Sequence, residues 1–271
     1  TRTGCLSGPI REMIVGGKKL SETDSYEGFQ NNRYFRQLIL PGVGEEGQKK
    51  LAQAKVLVVG TGGLGSPVLY YLAAAGVGTL GIVDDDRVDM TNLQRQILHW
   101  EKDVGRGKTE SAGEKLRAFN STLTYHLYPE RLTEDNAETL IVNYELVVAA
   151  VDNRETRRIL NRVCYRLGVP WIDGGIREYA GTITVYIPPR GPCYECIHRT
   201  HAVRPAGPIP LLGALPGVIG GIEAMEAIKL ILSIGIPLKG RVLMYDAWAG
   251  RFEEFIPAEN PSCPICGQAG A

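Results

Sequence analysis

The run KVLVVGTGGLGSP, Lys55 to Pro67, decides how the rest of the chain is read. Lys55 to Val59 is a short β-branched apolar run, and the turn Gly60-Thr61-Gly62-Gly63-Leu64-Gly65 follows it. Ser66 to Ala75 then has a helical stretch closed by Gly76. Strand, glycine loop and helix in that order aim backbone N–H groups and the positive end of a helix at a bound phosphate. A second buried strand, Thr79 to Val83, ends in Asp84-Asp85-Asp86, so Asp84 stands where a dinucleotide enzyme holds ribose hydroxyls. The loop and Asp84 suit an NAD-type dehydrogenase as well as an ATP enzyme, and a glycine loop without a ligand is the bland alternative.

Outward from this unit, Lys108 to Asn120 has helical spacing, and β-like runs recur at Thr122–Leu127, Leu146–Ala150 and Pro170–Ile172. Strands alternating with helices imply right-handed crossovers and a mainly parallel sheet covered on both faces. After Gly174 the texture changes. Tyr179 to Ile187 and Arg241 to Pro257 read as longer alternating strands, so the second half is expected to be antiparallel, and Gly217 to Ile234 should be a core helix. Upstream, Glu45 to Gln53 is a polar helix-like stretch, whereas Thr1 to Gln30 lacks periodicity and reads as a partly ordered extension. The expectation is an α/β, Rossmann-like, mainly parallel sheet continuing into an antiparallel half. An extension (residues 1–30) precedes a single domain (31–271) whose halves are about 31–173 and 174–271.

The 30 basic and 30 acidic side chains cancel, so no global field draws in nucleic acid or an anionic membrane. The long apolar stretch from Pro208 to Ile236 is broken by Glu223, Glu226 and Lys229, which argues against a membrane span. The N-terminal segment has no secretory pattern and the cysteines are not spaced as a disulfide framework; the expected location is the cytoplasm.

Past the acidic run, Asn92-Leu93-Gln94-Arg95-Gln96 places an amide and a guanidinium beyond the nucleotide loop, and Lys108 adds a second cation. Hydride transfer does not need several cations near phosphates. Attack of a carboxylate on the α-phosphate of ATP does, because charge builds on phosphoryl oxygens and departing pyrophosphate. The alternative is that Arg95 and Lys108 are solvated surface charges.

Cys193-Tyr194-Glu195-Cys196 and Cys263-Pro264-Ile265-Cys266 are two C-x-x-C knuckles that together can present four thiolates to one zinc ion. Four protein ligands leave no open position, so such a zinc is structural. Cys164 lies in an apolar-periodic helix, Arg157 to Leu167, and reads as core; Cys5 lies in the extension. His99, His126, His198 and His201 share no metal spacing.

With these segments in one order, the chain resembles the MoeB/ThiF family of adenylating enzymes that act on ubiquitin-like sulfur carriers. The supporting stretches are Arg33-Tyr34-Phe35-Arg36-Gln37, the glycine loop, DDDRVDMTNLQRQ (Asp84–Gln96), VGRGK (Val104–Lys108), AAVDNRETR (Ala149–Arg157), GPCYEC (Gly191–Cys196), LPGVIGGIEAMEAIK (Leu215–Lys229) and CPIC. The resemblance implies that Gly60, Gly62 and Gly63 cradle ATP and that Asp84 binds ribose. Asp86 and Gln96 would complete the nucleotide site, Asn92, Arg95 and Lys108 would contact the triphosphate, and Asp152 would hold Mg²⁺. Arg36 would act in trans in a homodimer. A helix cap is the alternative for Asp152. The implied substrate is a small β-grasp sulfur-carrier protein ending in Gly-Gly, activated as an acyl-adenylate and handed to an external sulfur donor. Many relatives carry a cysteine where counting back from Leu215-Pro216-Gly217 finds Ala206; an alanine methyl cannot form a thioester. A carboxylated tRNA nucleoside as substrate, an NAD-dependent oxidoreductase and a non-catalytic carrier-binding scaffold are the competing readings. Neutral overall charge argues against the first, and the cations and zinc knuckles have no part in the second.

Overall fold

The computed structural model describes residues 14–15, 18–19, 32–189, 191–198, 210–258 and 260–267. Cys5, His201 and Ala206, and most of the 1–30 extension, lie outside the described residues. The chain divides into two compact units, Thr1–Lys50 and Leu51–Ala271. In the first, β1 (Ile14–Val15) pairs antiparallel with β2 (Lys18–Lys19). A short helix α1 (Phe35–Leu38) and the start of α2 (Gly44–Gln53) follow; α2 carries Glu45 and Glu46 in its first turn and Lys50 in its last, which suits the helix dipole.

The second unit is built on one eight-stranded sheet. Its parallel part comprises β3 (Lys55–Val59), β4 (Thr79–Val83), β5 (Thr124–Tyr128), β6 (Leu146–Ala149) and β7 (Trp171–Arg177). Next come β8 (Ala180–Tyr186), β9 (Val242–Asp246) and β10 (Arg251–Phe255), each antiparallel to its neighbour. The spatial order is β10-β9-β8-β7-β6-β3-β4-β5. Thus β3 lies between β4 and β6, and the chain winds away from it in both directions. In such a sheet the carboxyl ends of the two central strands open a crevice.

Helices cover both faces. On one, α3 (Gly65–Ala75) packs against α4 (Lys108–Phe119) and the long α8 (Leu215–Leu232), which crosses β6, β7 and β8. On the other, α5 (Glu134–Ile141) and α6 (Arg154–Leu167) bury Ala137, Leu140, Ile159, Leu160 and Val163 with Leu57, Val59, Val147 and Ala149 from β3 and β6. Burial on both sides is why β3 and β6 read as continuous apolar runs rather than alternating ones. A one-turn helix α7 (Tyr194–Ile197) begins at Cys193.

One expectation needs correction. Arg241 to Pro257 is not one strand but the hairpin β9–β10, because Asp246 Oδ1 accepts from Trp248 N (2.9 Å) and Ala249 N (3.0 Å), and Gly250 turns at φ +65°. The polar α5 has little apolar periodicity; its local sequence signal is the capping box of Thr133 and Asn136.

The charges that interrupt the apolar run of α8 face inward. Glu226 accepts from Lys229 and from Leu238 N (2.8 Å), while Glu223 is fully buried against Gly174, and desolvation beside Asp173 drives its carboxyl well above the usual range. Among the described residues no helix is long and apolar enough to cross a membrane.

Helix α8 meets α3 through Gly220, where an added Cβ would lie 2.6 Å from Pro67 Cγ and 2.7 Å from Leu64 O. Neither a proline ring nor a backbone carbonyl yields easily. Gly220→Ala should therefore lower stability by about 1–3 kcal/mol in equilibrium denaturation; an unchanged midpoint would show that the two helices separate freely.

Candidate functional site

Gly60 ends β3 with φ +97°, and its N–H donates to Val83 O at 2.8 Å. A Cβ there would sit 2.4 Å from Ala150 O, so the loops leaving β3 and β6 touch through backbone alone. Beyond it, Cβ atoms at Gly62 and Gly63 would approach Gln96 Nε2 (3.4 Å), Pro216 Cγ (3.2 Å) and Arg95 Cγ (3.5 Å). The glycine loop thus lies against the Asn92–Gln96 turn and the first turn of α8, with peptide groups rather than side chains at its surface. That is a cradle for an anion at a helix N-terminus.

Asp84 follows β4 and is held by the same loop. Its Oδ2 accepts from Thr61 N and Thr61 Oγ1, both at 2.8 Å, and its Oδ1 accepts from Asp86 N at 3.0 Å. The Met90–Asn92 turn is capped by Asp89, whose Oδ1 accepts from Thr91 N at 2.8 Å. Asn92 Oδ1 then accepts from Arg95 (3.1 Å) and Gln96 Nε2 (3.2 Å), while Arg95 also donates to Thr91 O at 3.1 Å. These bonds set the guanidinium beside the loop. Gln96 Oε1 is buried with no hydrogen-bond partner in the protein, which fits an acceptor completed by a bound group.

Lys108 is the first residue of α4, only 5% exposed, and its ammonium meets Asp86 Oδ2 at 2.8 Å. It is therefore not a solvated surface charge. The structure gathers Gly60, Gly62, Gly63, Asp84, Asp86, Asn92, Arg95, Gln96 and Lys108 around the crevice. Asp152 is exposed just past β6, and the cap of α6 is Asn153, whose side chain accepts from Thr156 N at 2.9 Å. The capping alternative for Asp152 fails for that reason. Arg157 ties the neighbouring backbone together, donating to Val151 O (2.6 Å), Gly174 O (2.7 Å) and Asp173 Oδ1 (2.6 Å). Arg36 lies exposed on α1 in the separate unit Thr1–Lys50.

Two residues that sequence reasoning left without a role are buried here, Thr61 within the loop and His99 against it. His99 is 3% exposed, with Nε2 3.0 Å from Thr61 O and Nδ1 2.9 Å from Ser111 Oγ. Their partners are 38 and 12 residues away, and no local pattern announces them. Burial, aided by the nearby Lys108 and Lys115 ammoniums, pushes the imidazole down to about 4, against the hydrogen bond to Thr61 and the charge of Asp84.

The four knuckle cysteines also converge. Sγ separations are 3.9 Å for Cys193–Cys196, 3.6 Å for Cys193–Cys263 and 3.4 Å for Cys196–Cys266, and all four sulfurs lie within 4.8 Å of one another. Tetrahedral Zn–S bonds of about 2.3 Å require S···S edges of roughly 3.8 Å, so the donor set fits. Asn161 of α6 donates to Cys193 Sγ at 3.5 Å and accepts from Tyr194 N at 3.2 Å, which orients the first knuckle. Cys164 is fully buried, and its thiol is pushed far up by burial, as a core residue rather than a nucleophile.

The His99 shift has a definite sign for stability. An unfolded histidine takes a proton near pH 6.5, the folded one only near 4. Between these values the unfolded chain holds the extra proton, so stability falls as pH drops through that window, by up to about 1.4 kcal/mol per pH unit from this residue. His99→Gln should flatten the dependence of the denaturation midpoint over pH 4–6.5; an unaltered slope would contradict the assignment.

The sequence matches the ThiF family model over residues 34–265. It is 44% identical to the sulfur carrier protein adenylyltransferase of Thermus thermophilus, over 87% of this chain and 90% of that one. It is 43% identical to the SAMP-activating enzyme E1 of Haloferax volcanii, over 92% of this chain and 93% of that protein. Among solved structures it is similar to E. coli MccB crystallised with selenomethionine MccA, with a TM-score of 0.78 and 26% identity, covering 88% of this chain and 74% of MccB.

Proposed function

The chain belongs to the ThiF family, and on that premise we propose that it is an ATP-dependent adenylyltransferase of the MoeB/ThiF type. Its substrate is the C-terminal glycine carboxylate of a small β-grasp, ubiquitin-like sulfur carrier. The observation that carries the reading is the convergence, at the crevice between β3 and β6, of a glycine-rich loop, an anchored Asp84 and two cations, Arg95 and Lys108. The names of the Thermus and Haloferax relatives supply the substrate class.

In this reading Gly60 makes the turn, the N–H groups from Gly62 to Gly65 at the mouth of α3 hold the phosphates, and Asp84 takes the ribose hydroxyls. Asp86, Asn92 and Gln96 line the nucleotide. The carrier carboxylate is ionised at neutral pH and needs no general base; its oxygen attacks the α-phosphorus, the bond to the pyrophosphate oxygen breaks, and an acyl-adenylate results. Arg95 and Lys108 offset the charge that develops on the phosphoryl oxygens and the leaving group. Mg²⁺, held by Asp152, would add neutralisation of the triphosphate. Arg36 would reach the site of a second copy, so the active unit is a homodimer. The nucleotide-binding half is about 31–173 and the carrier-binding, zinc-holding half about 174–271. The adenylate passes to an external sulfur donor.

ATP–pyrophosphate exchange should require both Mg²⁺ and a carrier ending in Gly-Gly. Lys108→Ala and Asp152→Ala should each reduce it by about 10²–10³-fold, the usual worth of a transition-state charge contact. Exchange that persists without carrier, or hydride transfer with NAD, would defeat the proposal.

Zinc held by Cys193, Cys196, Cys263 and Cys266 is part of the same reading. Metal analysis of the purified protein should find about one zinc per chain. Cys263→Ser should lower the unfolding midpoint far more than it lowers exchange per folded molecule, and a metal-free protein of undiminished stability would remove zinc from the account.

A further inference from the structure

We infer that His99 is a positioning residue of the nucleotide site: as the Nε2–H tautomer it ties Thr61, the residue that anchors Asp84, to Ser111 of α4, the helix that begins with Lys108. This rests on the adenylation reading, because it is the spacing of the ribose acid and the phosphate cation that the lock would hold.

The tautomer follows from the partners. Thr61 O has only lone pairs, so the ring nitrogen 3.0 Å from it, Nε2, must carry hydrogen. A neutral imidazole has one N–H, which leaves Nδ1 as an acceptor, and Ser111 Oγ at 2.9 Å must donate to it. Ser111 Oγ in turn accepts from Lys115 Nζ at 2.9 Å. Lys115 also donates to Ser111 O (3.3 Å) and to Asp103, which accepts from Trp100 N (2.9 Å) and Arg106 (2.9 Å). Donation therefore runs one way, from Lys115 through Ser111 and His99 to Thr61. Thr61, His99, Ser111, Lys115 and Asp103 are each less than 5% exposed, so a broken link cannot be made good by bulk water.

At the other end of the chain Thr61 has no slack. Its N–H and hydroxyl both bind Asp84 Oδ2, and its carbonyl is shared between His99 and Ser66 Oγ (3.2 Å). The carbonyl and the N–H of Thr61 lie in adjacent peptide groups that meet at its Cα, from which the hydroxyl also hangs, so a shift of the residue at this point displaces both bonds to Asp84. Ser111 stands three residues after Lys108, on the next turn of α4, so the same chain fixes the approach of the Lys108 ammonium. Burial and the Lys108 and Lys115 charges keep the ring neutral, which maintains the single tautomer.

The test compares His99→Phe, which keeps a ring and loses both bonds, with His99→Gln, whose amide can still donate to Thr61 O. His99→Phe should raise the KM for ATP in pyrophosphate exchange by about 10–100-fold, the scale of a misplacement near 1 Å, with the KM for carrier within about twofold of wild type. His99→Gln should recover about tenfold of that loss. Ser111→Ala should shift the same constant in the same direction, and His99→Phe/Ser111→Ala should be no worse than His99→Phe alone, because one chain is broken once. Nitrogen-15 spectra of labelled histidine in the wild-type protein should report protonated Nε2 and bare Nδ1 at pH 7. A wild-type KM for ATP in His99→Phe, equal rises in both KM values, no recovery by Gln, or an Nδ1–H signal would overturn the inference and leave adenylation standing. Absence of calorimetric ATP binding by the wild-type protein would defeat both. If His99→Phe fails to fold, His99→Gln, Ser111→Ala and the spectra still decide.

Discussion

Everything at the crevice depends on one close approach, the Gly60 backbone against the Ala150 carbonyl. The loops leaving β3 and β6 can meet only because position 60 has no side chain and accepts φ +97°. That contact lets α3 start directly above the sheet edge, and it brings Asp152, two residues past Ala150, to the same opening. Parallel strands with central β3 make the crevice; the missing Cβ lets backbone line it.

Around that contact, two buried polar systems brace opposite walls. Beneath the glycine loop, Asp103, Lys115, Ser111, His99 and Thr61 connect α4 to Asp84. Across the crevice, Arg157 spans the ends of β6 and β7 with three donated bonds. Each system costs desolvation, and each is worth having only when every donor and acceptor is paired. The system beneath the loop links Asp103, Lys115, Ser111, His99 and Thr61 by continuous hydrogen bonds. Glu223 is the contrasting case: buried beside Asp173, it lowers the cost by staying neutral.

The cysteine cluster joins two distant stretches of the chain. Residues 70 positions apart in sequence bring their sulfurs within 4 Å, Cys193 to Cys263 and Cys196 to Cys266. Asn161 and Arg158 tie the first knuckle to α6, through Cys193 and Glu195 respectively. A four-thiolate site there closes a long loop, and the stabilisation from closing it grows slowly with loop length.

The sequence by itself determined the strand–loop–helix unit from Lys55 to Ala75, the alternation of strands with helices through the first half, the acidic run that ends β4 and the two C-x-x-C knuckles. All are written in local spacing, which backbone geometry converts directly into structure. Even the turn that divides β9 from β10 was legible in principle, in Asp246 and Gly250, but the alternation on either side masked it. The exposure of Asp152, the capping of α6 by Asn153, the burial of Lys108 and the placing of His99 were decided by tertiary structure alone. A side chain's partner across 38 residues is set by which helix packs on which strand, and one-dimensional pattern carries no record of that distance.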